Sequence, residues 1–143
     1  MTEDQFPHRN LYTRIKPSAK GVGVFAIRDI PKDTELFVGD IGNIVRVSVA
    51  DVEKIEDLEV RRMYFDFCPV VDGYFVAPTD FNQITMGWYL NHSDNPNVSV
   101  RPEMQFFTSR FVEIGEELTA DYTTYSEHAA KYAPAWVKPS ETG

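Results

Sequence analysis

One cysteine, Cys68, stands in the whole chain, so no internal disulfide can form and no zinc site can be built on paired cysteines. No Cys/His set has zinc-ligand spacing, and no metal is expected. Apolar runs of the ~18–20 residues that a membrane helix needs are missing as well. Basic residues are scarce: 14 Lys and Arg against 22 Asp and Glu give a formal net charge of −8. That balance argues against non-specific binding to phosphate backbones, which requires clustered cations, so no nucleic-acid partner is expected. It suits a basic partner such as a Lys-rich tail, and it equally serves solubility alone. The opening MTEDQFPHRN is acidic and polar, unlike a signal peptide, and predicts a cytoplasmic protein (nuclear in a eukaryote) rather than a secreted one. The triplets Asn91-His92-Ser93 and Asn97-Val98-Ser99 then lose any glycosylation meaning.

What is present suffices for a folded unit. In 143 residues, 43% are hydrophobic and 13% aromatic, enough for one domain with a real core. No repeat or low-complexity linker divides the chain, and residues 1–143 are expected to form a single domain with a core over about 14–125. The pattern is α+β, mainly β, with several short strands. A β-rich run opens at Gly21-Val22-Gly23-Val24-Phe25 and continues through Ala26–Ile30 to Pro31. Short strands follow at Glu35–Gly39 and Ile44–Val47. Ser48, with Asp51 three residues on, resembles a capping box opening one helix from about Val49 to Met63. Strands return at Val70–Val71, at Tyr74–Ala77 after an Asp72-Gly73 turn, and at Val98–Val100, Gln105–Phe107 and Glu117–Thr119. Beyond Ser126 the sequence predicts a short helix and a loose, aromatic tail over 126–143.

Three pieces stand out from this scaffold. Gly21-Val22-Gly23 places two glycines in a strand, which permits close approach to the backbone, although a β-bulge explains them too. A dinucleotide fingerprint would need a third glycine and a following helix. YLNHSDNPNV groups short polar side chains after an apolar run. It reads either as a plain turn or as a binding pocket, while Ser93 beside His92 shows no orienting acid and no nucleophile elbow for a hydrolase. EIGEELTADY is a turn feeding a strand that ends at Tyr122.

In order and spacing these pieces resemble the SET-domain family of protein-lysine methyltransferases. KGVGVFAIRDIPKDTELF is similar to the family's opening, YLNHSDNPNV to its Asn-His-Ser motif, and EIGEELTADY to its Glu-Leu-Thr-x-Asp-Tyr motif, a match from about Ser18 to Tyr125. The resemblance implies small sheets of short strands, with a knot-like crossing near the C-terminus and one inserted helix. It implies S-adenosyl-L-methionine as cofactor and the ε-amine of a lysine, in a basic protein or peptide, as acceptor. By position, Gly21, Val22 and Gly23 would wrap the cofactor, Asn91 would meet its methionine moiety, the His92 backbone its adenine, and Tyr122 would be catalytic. Phe37, Tyr89, Ala120 and Tyr125 would line the lysine channel, with Tyr132 and Trp136 as a lid.

The chain departs from the family pattern in several places. Trp88-Tyr89-Leu90 replaces Arg-Phe-Ile, Asp94 stands for cysteine, Phe37 for tyrosine and Ala120 for an aromatic, and Cys-rich zinc flanks are missing. Alanine at 120 implies a roomy pocket and di- or trimethylated product. A non-catalytic SET-like module that binds a basic peptide, methyl transfer to a small-molecule amine, and a homodimer all stay open on the sequence.

Overall fold

The computed structural model describes residues 1–2 and 5–127. Its first sheet starts with a hairpin. Strands β1 (Thr13–Ser18) and β2 (Gly21–Ala26) pair antiparallel without interruption from Thr13↔Ala26 to Ser18↔Gly21. The unbroken register removes the bulge reading of the two glycines. Gly21 instead carries a φ of 104° at the turn, a conformation that costs most side chains dearly. Strand β1 escapes the sequence reading because it is short on apolar residues, with Ile15 alone between Arg14 and Lys16, and carries Pro17. As the outermost strand it needs only one buried face, and an edge tolerates proline.

The sheet continues through β3 (Glu35–Leu36), β7 (Asn91–His92), β8 (Val98–Arg101), β9 (Gln105–Thr108) and β10 (Glu117–Ala120). Its order is β1-β2-β10-β8-β9-β3, with β7 on the flank of β10. Two expected strands come out shorter than anticipated. Strand β2 stops at Ala26, and beyond it only Ile30 bridges Val112. Strand β3 stops at Leu36 because Phe37 turns the chain with a φ of 56°, unusual for a side chain of that bulk.

A second sheet holds β4 (Ile44–Ser48), β5 (Val70–Val71) and β6 (Tyr74–Pro78) in the order β4-β6-β5. Asp72 and Gly73, both at positive φ, make the two-residue turn between β5 and β6. The single helix expected over Val49–Met63 is two: α1 (Val49–Glu53) and α2 (Leu58–Phe67). Ser48 does cap α1, its Oγ accepting from Asp51 N at 3.1 Å. The break follows from Asp57, whose Oδ1 accepts from the Glu59 and Val60 amides and so starts a new helix. The Arg61 guanidinium takes the Ile55 carbonyl that a continuous helix would have used internally.

Each sheet has its own apolar cluster. Val24, Ile30, Leu36, Leu90, Val98, Val112, Leu118 and Ala120 fill the first. Val52, Cys68, Val70, Phe75 and Ala77 fill the second, with Tyr64, Phe65, Phe67 and Trp88 packed around them. Among the described residues the architecture is thus mainly β with two short α-helices. Among the described residues no helix is long and apolar enough to cross a membrane.

Candidate active site

Two segments distant in sequence build the site by running side by side. Strand β7 lies parallel to β10, pairing Asn91 with Thr119 and His92 with Ala120. The buried Asn97 fastens β10 from the side: its Nδ2 donates to Glu117 O and its Oδ1 accepts from Thr119 N, each at 2.9 Å. An apolar side chain there would leave both backbone groups unpaired.

His92 is 2% exposed and acts through its ring on the backbone. Nδ1 accepts from Tyr122 N at 3.1 Å, which leaves the ring proton on Nε2, facing Asp94 Oδ1 at 3.1 Å. Asp121 Oδ1 stands 3.8 Å from Nδ1. The structure therefore supplies the orienting acids that the sequence did not reveal. The hydrolase reading still fails, because Tyr122 N and Asp94 occupy the two ring nitrogens. The His92 carbonyl, the group expected to face adenine, accepts from Lys20 Nζ at 2.7 Å.

Tyr122 presents its hydroxyl as a donor to Leu90 O. Burial, reinforced by the nearby Glu117 charge, pushes its pKa well above the ordinary value. The hydroxyl is therefore a neutral donor at any physiological pH. Its ring meets His92 and Tyr125 edge-on, at 5.3 and 6.1 Å between centroids.

On one side of Tyr122 lies a cleft of about 90 Å³ between the two apolar clusters. Phe67, Cys68 and Val76 line it from the second sheet, and Leu90, Phe106 and Tyr125 from the first. Burial pushes the Cys68 thiol up to about 12, so it is an inert wall. The Asp40 and Asp66 carboxylates also line the cleft. Desolvation raises the pKa of Asp40, opposed by its hydrogen bond to Thr85. Ser126 and Glu127 tie the second sheet to this wall: Ser126 Oγ accepts from Val70 N at 3.0 Å, and the Glu127 carboxylate accepts from the Asp72 and Gly73 amides.

Acceptors gather around Asn91. Its Nδ2 faces Ser18 Oγ at 3.3 Å, Val22 O at 2.9 Å and Glu117 Oε2 at 2.7 Å. Gly23 makes this possible, since a Cβ there would lie 2.4 Å from Glu117 Oε2. Asn91 thus ties Val22 of the glycine loop to Glu117, and its neighbour His92 holds Tyr122, while Gly21 stands at the hairpin turn.

The four expected channel residues separate. Tyr125 lines the cleft, while Phe37, Tyr89 and Ala120 do not. Phe37 lines a neighbouring cavity of about 360 Å³ with Asp40 and Met86. Tyr89 packs edge-on against Phe67 at 5.7 Å. Ala120, 1% exposed, belongs to the first core cluster. The expectation of a roomy pocket loses its premise, because the Ala120 methyl faces core and not cleft. Tyr132 and Trp136 lie outside the described residues. Sequence reasoning missed Glu117, Lys20 and Ser18. Glu117 sits inside a recognised motif and Lys20 and Ser18 beside the glycine pair, so proximity was the available signal.

The SET domain family profile matches residues 21–123. A histone-lysine N-methyltransferase, H3 lysine-36 specific, from Mycosarcoma maydis is 30% identical over 135 residues, covering 80% of this chain and 13% of that protein. A protein of the same description from Candida albicans is 26% identical over 130 residues, covering 85% of this chain and 15% of its own length. The chain therefore spans a small fraction of these curated relatives. A solved Plasmodium falciparum chain, provisionally named a histone methyltransferase, shares the fold with a TM-score of 0.51 at 21% identity, covering 78% of this chain and 92% of the other. The profile match spans the glycine loop, Asn91, His92 and Tyr122 alike, and with the shared fold it establishes that this chain belongs to the SET-domain family.

Proposed function

We propose that this chain transfers a methyl group from S-adenosyl-L-methionine to the ε-amine of a lysine in a basic protein or peptide. The observation that carries the reading is the position of Tyr122. Its hydroxyl donates to Leu90 O, one residue before Asn91, and Tyr122 and Leu90 both line the apolar cleft beside Tyr125. A polar cluster at Asn91 next to an apolar cleft that holds a buried phenol suits transfer between a polar cofactor and an alkyl amine.

When bound, S-adenosylmethionine supplies a methyl group on a cationic sulfur. Gly21–Gly23, Asn91 and the His92 backbone would hold it. The chain's own contribution is alignment, worth up to about 7–11 kcal/mol when reacting groups are held in line. The aromatic walls exclude water and disfavour a charged ammonium, and free lysine, with a pKa of about 10.4, must lose its proton to attack. Asp40 and Asp66 in the cleft lining favour the approach of a cationic side chain. The net charge of −8 favours a basic partner in the same way. The relatives named as H3 lysine-36 methyltransferases make a histone-like tail a natural member of the test set.

The test is transfer of labelled methyl to a panel of basic proteins and peptides, an H3 peptide included, with the acceptor mapped by mass spectrometry. Labelled lysine, absent with Tyr122→Phe, is the expected outcome. Cofactor binding without methylation anywhere in the panel would favour a module that only binds basic peptides.

A further inference from the structure

We propose that Asp94 is a positioning residue, which seats Tyr122 for catalysis by fixing the tautomer of the His92 ring between them. The inference rests on the methyltransferase reading and adds to it a role for a residue that departs from the family pattern.

Tyr122 N donates to His92 Nδ1 at 3.1 Å, and a neutral imidazole can accept there only while its own proton sits on Nε2. The His92 side chain is 1% exposed, so bulk water does not reach that proton, and Asp94 Oδ1 takes it at 3.1 Å. Without this acceptor the proton would be buried unpaired, a cost that favours the other tautomer. In that tautomer Nδ1–H would face Tyr122 N–H, donor against donor, and the bond would be lost. The Tyr122 hydroxyl meets Leu90 O, so a shift of its backbone displaces the catalytic group.

Asp121 opposes Asp94. Its Oδ1 stands 3.8 Å from Nδ1, beyond hydrogen-bond reach, and accepts instead from Thr123 N at 3.0 Å and Thr123 Oγ1 at 2.6 Å. A ring proton moved to Nδ1 would face that carboxylate. Asp94 therefore selects the tautomer that holds Tyr122, and Asp121 favours the one that releases it. A thiol, the group common in the family at position 94, is a weak acceptor and would select poorly.

The backbone places Asp94 for this task. Strand β7 pairs His92 with Ala120, which brings Tyr122, two residues on, to 5.3 Å from the imidazole between ring centroids. Ser93 N donates to Ala120 O, and Ser93 Oγ accepts from Asn95 N, each at 3.0 Å, a turn that folds Asp94 back towards His92. The Asp94 side chain is 73% exposed, so it can be replaced without opening the core.

The chain has three histidines, so ring-nitrogen NMR can be read on the full protein. The wild type should show His92 with its proton on Nε2. Asp94→Ala should lose that single tautomer and move the Tyr122 amide resonance. Its kcat should fall roughly tenfold to hundredfold, the scale of a misplacement of about 1 Å. Peptide KM and S-adenosylhomocysteine affinity should change by less than about threefold, because the ring acts on Tyr122 and not on binding. Asp94→Asn, whose side-chain oxygen can accept the same hydrogen, should restore the tautomer and most of the rate. Thermal melts check that both variants stay folded. A wild-type ring protonated on Nδ1 would overturn the proposal without any variant. So would wild-type kcat in Asp94→Ala, or an Asp94→Asn protein no faster than the alanine variant. A wild type that methylates nothing would instead remove the methyltransferase reading, and the catalytic role of Asp94 with it, whichever tautomer the ring shows.

Discussion

Replacing Tyr122 by phenylalanine separates the structural bond its hydroxyl makes from the catalytic role proposed for it. The ring contacts with His92 and Tyr125 are kept, and only the donor to Leu90 O is deleted. Leu90 is 4% exposed, so its carbonyl loses that donor where water cannot easily replace it. Such a loss costs about 1–3 kcal/mol. For a chain of this size each kcal/mol moves Tm by on the order of 3 °C, so differential scanning calorimetry should register a fall of several degrees. Cofactor affinity should barely change, because the Asn91 cluster does not use the hydroxyl. The methyl-transfer rate should collapse by far more than the stability loss explains, since a group that acts in the transition state lowers kcat and not binding. Single-turnover kinetics on saturating peptide, below the melting range, isolates that step. Near-normal turnover in a folded Tyr122→Phe protein would refute the catalytic role, whatever happened to Tm.

Three further outcomes are expected. Ala120→Tyr should destabilise the protein by ~1–3 kcal/mol through overpacking of a core position, rather than reset the number of methyls added; a stable variant restricted to monomethyl product would return residue 120 to the channel wall. Lys20→Met frees the His92 carbonyl from a bond worth about 0.5–1.5 kcal/mol, so S-adenosylhomocysteine should bind up to roughly tenfold tighter by calorimetry, and weaker binding would place Lys20 among the ligand's own contacts. Thermal melts should show stability falling at alkaline pH. Cys68, Tyr122 and Tyr125 all have raised folded-state pKa values, so above about pH 9–10 the unfolded chain releases protons that the folded chain still holds; a Tm that is flat to pH 11 would contradict that burial.

The parts legible in the sequence were those encoded locally. The Asp72-Gly73 turn, the Ser48 cap and most short strands announce themselves through residue type within a few positions. So did Asn91, His92 and Tyr122, because they stand in motifs of fixed order. What was lost depends on position in the sheet or on distant partners. Strand β1 reads as polar until it is known to be an edge. The two helices read as one because the apolar spacing runs straight through Asp57, and only its capping geometry shows the break. Ala120 was assigned to the channel by its position in the family motif, yet it lies in the first core cluster. Glu117 and Gly23 are far apart in sequence, and their contact across β2 and β10 has no local signature.

The pairing of β10 with β2 and β7 also bears on how the protein is made. On a ribosome the β1–β2 hairpin emerges early, but β2 must wait on its open side until Glu117–Ala120 has been synthesised. Asn91 and His92 wait for the same strand, and Tyr122 follows it. A nascent chain halted before β10 would thus show two unpaired strand edges and no site, the exposure that invites aggregation. Among the described residues the last-made strand is the one that joins β2, β7 and β8, so the sheet closes only when nearly all of them have been synthesised.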